Sequence, residues 1–125
     1  MATPFVTTTR DGGVATVRLN RPDKLNALTL EMLDGLVDAA RELGQDRSLR
    51  AVILAGEGDS FCAGLDFGSV LKNPAGIAKA FAVRPWRGTN TFQEACWAYR
   101  RLPVPVVAAV HGNCLGGGVQ IALGA

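Results

Sequence analysis

One histidine, one tyrosine and two tryptophans are all that this 125-residue chain has of those side chains. A histidine-based catalytic dyad or a metal cluster has little to draw on here, and none is expected. Its cysteines, Cys62, Cys96 and Cys114, are odd in number and follow no metal or disulfide spacing. They read as reduced thiols of a cytoplasmic protein, acting as small buried apolar side chains. No apolar run approaches the roughly 18 residues that a membrane helix needs, and the N-terminus has no basic start followed by an apolar stretch. Neither membrane insertion nor secretion is expected. An excess of one charge is missing too: 13 Lys and Arg against 11 Asp and Glu leave +2, too balanced to point to nucleic acid. The cations are nonetheless uneven. Lys72, Lys79, Arg84, Arg87, Arg100 and Arg101 face the single acid Glu94 between Val70 and Arg101, and they read as a solvated charged surface rather than an anion site.

What is present is the 48% apolar content of an ordinary one-core globular domain. "FVTTTRDGGVATVRLN" sets two β-prone runs around Asp11-Gly12-Gly13, which predicts an opening hairpin. A helix is expected from about Thr29 to Leu43, ended by Gly44, with Leu30, Leu33, Leu36, Val37, Ala40 and Leu43 on its buried side. "LRAVILAG" and "VPVVAAV" are unbroken apolar runs and predict strands covered on both faces. Residues 67–90 carry Pro74, Gly76, Pro85 and Gly88 and predict a mobile loop with short helical pieces, followed by a helix from about Thr91 to Leu102. Strand, helix and buried strand in alternation imply an α/β arrangement with crossover connections.

Two side-chain-poor loops stand out. "FCAGLDF" runs from Phe61 to Phe67, and "GNCLGGGVQIAL" from Gly112 to Leu123 opens a helix on a glycine triplet. Helix-start N–H groups point outward and favour negative charge. No Lys-Ser/Thr follows the glycines as a P-loop requires, and Ile121 stands where a dinucleotide fingerprint would end in glycine. Backbone donors from two loops suit an oxyanion better, because they can stabilise developing charge without an ionisable side chain. Taken singly, either loop also reads as a tight packing turn.

"LNRPDKLNALTLEML", "VILAGEGDSFCAGLDF" and "PVPVVAAVHGNCLGGGVQIAL", in this order, resemble the N-terminal half of the enoyl-CoA hydratase/isomerase family, the crotonase superfamily. The resemblance implies an α/β spiral of ββα units, of which this is the N-terminal portion, forming one acyl-CoA-binding domain over residues 1–125. It implies a thioester oxygen held by the backbone N–H groups of Leu65 and Gly117, which would stabilise an enolate. Lys24, Ala27, Leu28 and Ala63 would line the CoA site, and Leu115 and Gly116 would border the pantetheine. Asp66, which also matches the family pattern at this site, reads as a capping and loop-ordering group. A CoA thioester is the expected substrate, with no permanently bound cofactor and no metal, and a homotrimer or hexamer is the expected assembly.

The sequence departs from the hydratase pattern at Gln120, where the resemblance calls for a glutamate. A glutamine amide can hold a water by hydrogen bonding but cannot act as a general base near neutral pH. The partner acid would lie beyond Ala125, and the chain reads as truncated inside its active-site helix. His111, Glu94 and Glu57 read as structural or solvated, and Trp86 and Trp97 as packing or lid residues. Hydration or double-bond isomerisation of an enoyl-CoA is the leading expectation. Thioester hydrolysis and non-catalytic acyl-CoA binding stand as the alternatives.

Overall fold

The computed structural model describes residues 4–125. β1 (Val6–Asp11) and β2 (Val14–Leu19) pair antiparallel in the register Val6↔Leu19 to Asp11↔Val14. Gly12, at φ +57°, makes the turn between them, as the Asp-Gly signal predicts. A 3-10 turn over Pro22–Lys24 leads into α1 (Leu30–Gly44). Thr29 caps that helix by accepting from the Met32 amide at 3.1 Å. Gly44 is the last helical residue rather than the stop, and Gln45 closes the helix with an ordinary right-handed backbone.

β3 (Ala51–Gly56) pairs parallel with β2, and β4 (Val106–Ala108) pairs parallel with β3, giving the order β1-β2-β3-β4. Ala15, Val17, Leu19, Val52 and Leu54 point to one face of the sheet and are fully buried. They meet Met32, Leu33 and Leu36 of α1 and Ala95 and Tyr99 of α4 (Thr91–Arg100) in one apolar cluster. Fully burying one Leu or Met contributes roughly 1.5–3 kcal/mol, so this one face supplies the domain's main cohesion. The other face is only partly covered. Val14, Ile53 and Ala55 are half-buried, and Val107 is 57% exposed. The expectation of strands covered on both faces is therefore corrected: an unbroken apolar run states that burial is wanted, not that the neighbouring elements supply it.

Residues 67–90 contain α2 (Phe67–Val70) and α3 (Pro74–Phe81). Asn73 caps α3 by accepting from the Gly76 amide at 3.0 Å, with Pro74 at the first helical position. α4 begins with a reciprocal Asn90–Gln93 capping box and ends at Arg100, two residues short of the expected stop. α5 (Gly117–Leu123) completes the described chain.

Glu94 corrects the sequence reading most clearly. It is 2% exposed, not solvated. Its carboxylate accepts from the Thr89 hydroxyl, pairs with the Arg101 guanidinium and lies 3.6 Å from Arg87 Nε. Part of the basic surface thus turns inward to neutralise a buried acid. On the same helix the Tyr99 hydroxyl donates to the Leu36 carbonyl at 2.7 Å, tying α4 to α1, and burial pushes its phenol up.

Candidate active site

The site is assembled where the chain leaves the parallel strands. After β3, the buried Ser60 hydroxyl accepts from both the backbone and the side-chain amide of Asn113, at 3.2 and 3.1 Å. Phe61 N donates to His111 O at 2.7 Å, and His111 Nε2 lies 2.7 Å from the Gly58 carbonyl. His111 is structural, as its sequence context suggests. Cys62 and Cys114 then face each other across a parallel bridge, closed by Cys62 N to Asn113 O and Leu115 N to Cys62 O, both 3.0 Å. The two loops singled out in the sequence are one structure.

Beyond Ser60 and Asn113, their close approach depends on glycines. Gly64 stands at φ +98°, and a Cβ there would lie 3.0 Å from the Leu115 carbonyl. A Cβ at Gly118 would lie 2.6 Å from the Cys62 carbonyl, closer than packing permits. Glycine is required at one position by backbone sign and at the other by approach.

The segment before α1 forms the third wall. Leu28 bridges Leu65, its amide donating to Gly64 O at 2.7 Å and its carbonyl accepting from Asp66 N at 2.9 Å. Gly64 and Asp66 spend their groups on Leu28, so the intervening Leu65 amide is turned away from that partner. Ala63 N donates to Leu25 O at 3.0 Å.

Asn26 holds this segment in place, and sequence reasoning did not select it. Fully buried and at φ +57°, it accepts from Arg21 N at 2.8 Å and donates to Glu57 O at 2.9 Å and Ser60 O at 2.8 Å. The signal available was an asparagine in a short polar turn, the residue type that best tolerates the left-handed region.

Asp66 is the N-cap of α2, accepting from Ser69 N at 3.2 Å, and it pairs with Arg21 at 2.8 Å. The Arg21 bond and then the Ser69 amide hold its carboxyl below the usual range. Arg21 also donates to Ala27 O at 2.9 Å, so one guanidinium ties the segment before α1 to the first glycine loop.

These walls enclose a cavity of about 210 Å³ lined by Leu28, Leu33, Leu65, Phe92, Cys96, Gly117, Gln120 and Ile121. Leu28, Leu65, Gly117 and Gln120 are brought together as the sequence suggested; Leu33, Phe92, Cys96 and Ile121 join them unannounced. Lys24, Ala27, Ala63, Asp66, Leu115 and Gly116 lie outside the lining, with Lys24, Leu115 and Gly116 exposed. Among the described residues the Leu65 and Gly117 amides have no hydrogen-bond acceptor. No carboxylate or imidazole belongs to the lining, and burial pushes the Cys96 thiol up, which keeps it protonated. The chemistry on offer is hydrogen bonding by backbone and amide groups inside an apolar wall.

Fold and cavity together define a class: an α/β protein whose parallel strands deliver two backbone-donor loops to a small apolar chamber. A family model described as enoyl-CoA hydratase/isomerase matches residues 9–125. The chain belongs to that family and has the N-terminal part of its crotonase-type fold. It is 38% identical over 109 residues to the mitochondrial Delta(3,5)-Delta(2,4)-dienoyl-CoA isomerase of Homo sapiens, covering 84% of this chain and 33% of that protein. With the 1,2-epoxyphenylacetyl-CoA isomerase of Escherichia coli it shares 33% identity over 120 residues, or 96% of this chain and 45% of the other. The crystal structure of an enoyl-CoA hydratase from Mycobacterium avium subsp. paratuberculosis superposes with a TM-score of 0.78 at 31% identity, covering 99% of this chain and 45% of that one. The chain thus spans between a third and just under half of the length of these relatives.

Proposed function

We propose that the chain forms the oxyanion half of an acyl-CoA enzyme of hydratase or isomerase type. The thioester carbonyl enters the cavity and accepts from the Leu65 and Gly117 amides. Those amides stabilise the enolate formed when a proton leaves the α carbon. The supporting observation is that both lack an internal acceptor and both residues line one chamber. Such donors act more strongly on the enolate than on the neutral carbonyl, and each is typically worth roughly 10²–10³ in rate. At about 210 Å³ the cavity suits the thioester and a short acyl group, not CoA itself. The nucleotide runs outward past Ala63, Leu115 and Gly116 toward exposed Lys24, whose ammonium offers charge to its phosphates. Gln120 orients a water or the acyl chain, and proton transfer belongs to a group outside this lining. Assembly into a homotrimer or hexamer is part of the same reading. The exposed apolar side chains Val107, Val110 and Leu123 support it.

The absence of a carboxylate from the lining favours a second reading, in which the chain binds acyl-CoA without hydrating it. Infrared difference spectroscopy of bound butyryl-CoA carrying a 13C thioester carbonyl tests the shared step. The stretch should fall in frequency on binding; bound ligand with an unshifted carbonyl would remove the oxyanion assignment. Turnover of an enoyl-CoA panel then separates the two readings.

A further inference from the structure

We infer that Cys62 and Cys114 are a site of reversible oxidation, forming an intramolecular disulfide that joins the two glycine loops. The bond does not depend on the acyl-CoA reading. The two cysteines are direct partners in a parallel bridge. Bridge partners project from the same face of the pair, and neighbouring strands lie about 4.8 Å apart. That spacing falls within the roughly 4.4–6.8 Å Cα separation of disulfides. Both side chains pack into the same apolar cluster, and both thiols are free. Cys96, by contrast, sits on α4 with its thiol directed at the Phe92 carbonyl, 3.8 Å away. Sequence spacing hides the pair because 52 positions separate its members.

The two thiols are unequal, which orders the steps. Cys62 is fully buried, while Cys114 is only partly covered and meets the oxidant first. With a peroxide as oxidant, the Cys114 thiolate attacks one oxygen, the O–O bond breaks, and a sulfenic acid and water result. The Cys62 sulfur then attacks the Cys114 sulfur and displaces the second water. Two thiols lose two protons and two electrons, and one peroxide becomes two waters. Burial pushes the Cys62 thiol up, so the second step quickens as pH rises. A thiol reductant reverses the bond. Leu65 and Gly117 each follow one of these cysteines by three positions, so the cross-link anchors both walls of the cavity.

The test is oxidation of the native chain with hydrogen peroxide, alkylation of remaining thiols and peptide mass spectrometry. A linked Cys62–Cys114 pair, a mass lower by about 2 Da, reversal by dithiothreitol and alkylated Cys96 are the expected results. The same oxidation in urea gives the contrast. Without the fold, loop closure favours the 18-residue Cys96–Cys114 span over the 52-residue one by about five-fold. A Cys96→Ser variant should keep the native cross-link in full. Native oxidation yielding the urea pairing, or over-oxidised Cys114 beside an alkylated Cys62, would overturn the assignment.

Discussion

The cavity loops and the α1–α4 seam are built in opposite ways. Around the cavity, strand exits are stitched mainly by peptide groups: Cys62 to Asn113 and Leu115, Leu28 to Gly64 and Asp66, Ala63 to Leu25. Along α4, side chains dominate: Glu94 is held by Thr89, Arg87 and Arg101 at the ends of its own helix, and the Tyr99 hydroxyl crosses to the Leu36 carbonyl of α1. The most buried carboxylate of the chain is therefore spent on fixing α4 to the turn before it and to its own C-terminal end, while the lining of the chamber offers no charge at all. Burial of an acid, taken alone, is a poor guide to catalysis here. The proposed site rests on the reverse sign, backbone donors left without acceptors in an apolar wall.

Four substitutions test that division. The largest effect is expected at the seam. Glu94→Ala leaves Arg87 and Arg101 without their acid; because Arg101 is half exposed, the loss should be about 2–4 kcal/mol, somewhat below that for a fully buried pair. Urea unfolding at constant m measures it, and an unchanged midpoint would mean the cluster is not structural. Asn26→Ala comes next. It strips partners from Arg21 N, Glu57 O and Ser60 O, and about 1–3 kcal/mol is expected. This change should also weaken butyryl-CoA binding, which Glu94→Ala should not. Equal weakening by both would erase the distinction between the regions.

Gln120→Glu places a charge in the neutral chamber. Crotonyl-CoA hydration should rise about ten-fold, below the roughly 10²–10⁴ of a well-paired base because no second acid lines the cavity. Unchanged hydration with binding intact would show that this carboxylate is not what limits the reaction. The smallest effect belongs to Asp66. Its folded-state pKa is depressed, so its contribution is complete above the unfolded value of about 3.9 and is lost as pH falls through the folded one. Asp46, also depressed by Ser48 and Arg10, titrates in the same window. Comparing acid unfolding of Asp66→Asn with the parent isolates the Asp66 share. Parent and variant of equal stability above about pH 4, where the contribution is complete, would deny the Arg21–Asp66 pair a role in stability.

The pairing of the two glycine loops came from the resemblance to the family, since either loop alone reads as a packing turn. Local signals reached the hairpin and α1, because turn glycines and helical periodicity act over a few residues. Asp66 as a cap was legible for the same reason. Glu94 was not, since two of its partners, Thr89 and Arg87, lie before the helix where a helical wheel holds no record of them; only Arg101, seven positions on, shares its face. β4 misled in another way. The apolar run 104–110 shows how much burial is wanted but not which element provides it, and only three of its residues pair as strand. Phe92 and Cys96 reach the cavity through the docking of α4 beside α5, a tertiary fact with no local trace.

Asn26 also carries a consequence for the order in which the molecule forms. Two of its three bonds reach forward 31 and 34 residues, to carbonyls of the loop that leaves β3, the strand paired with β2. Leu25 and Asn26 meanwhile hold consecutive left-handed conformations that an isolated turn would not keep. We expect the segment from Arg21 to Leu28 to lock late, after the costly long-range closure of the parallel pair, so that Asn26→Ala should speed unfolding more than it slows folding. The cavity's third wall then depends on completion of the sheet as well as on the tolerance of Asn26 for the left-handed region.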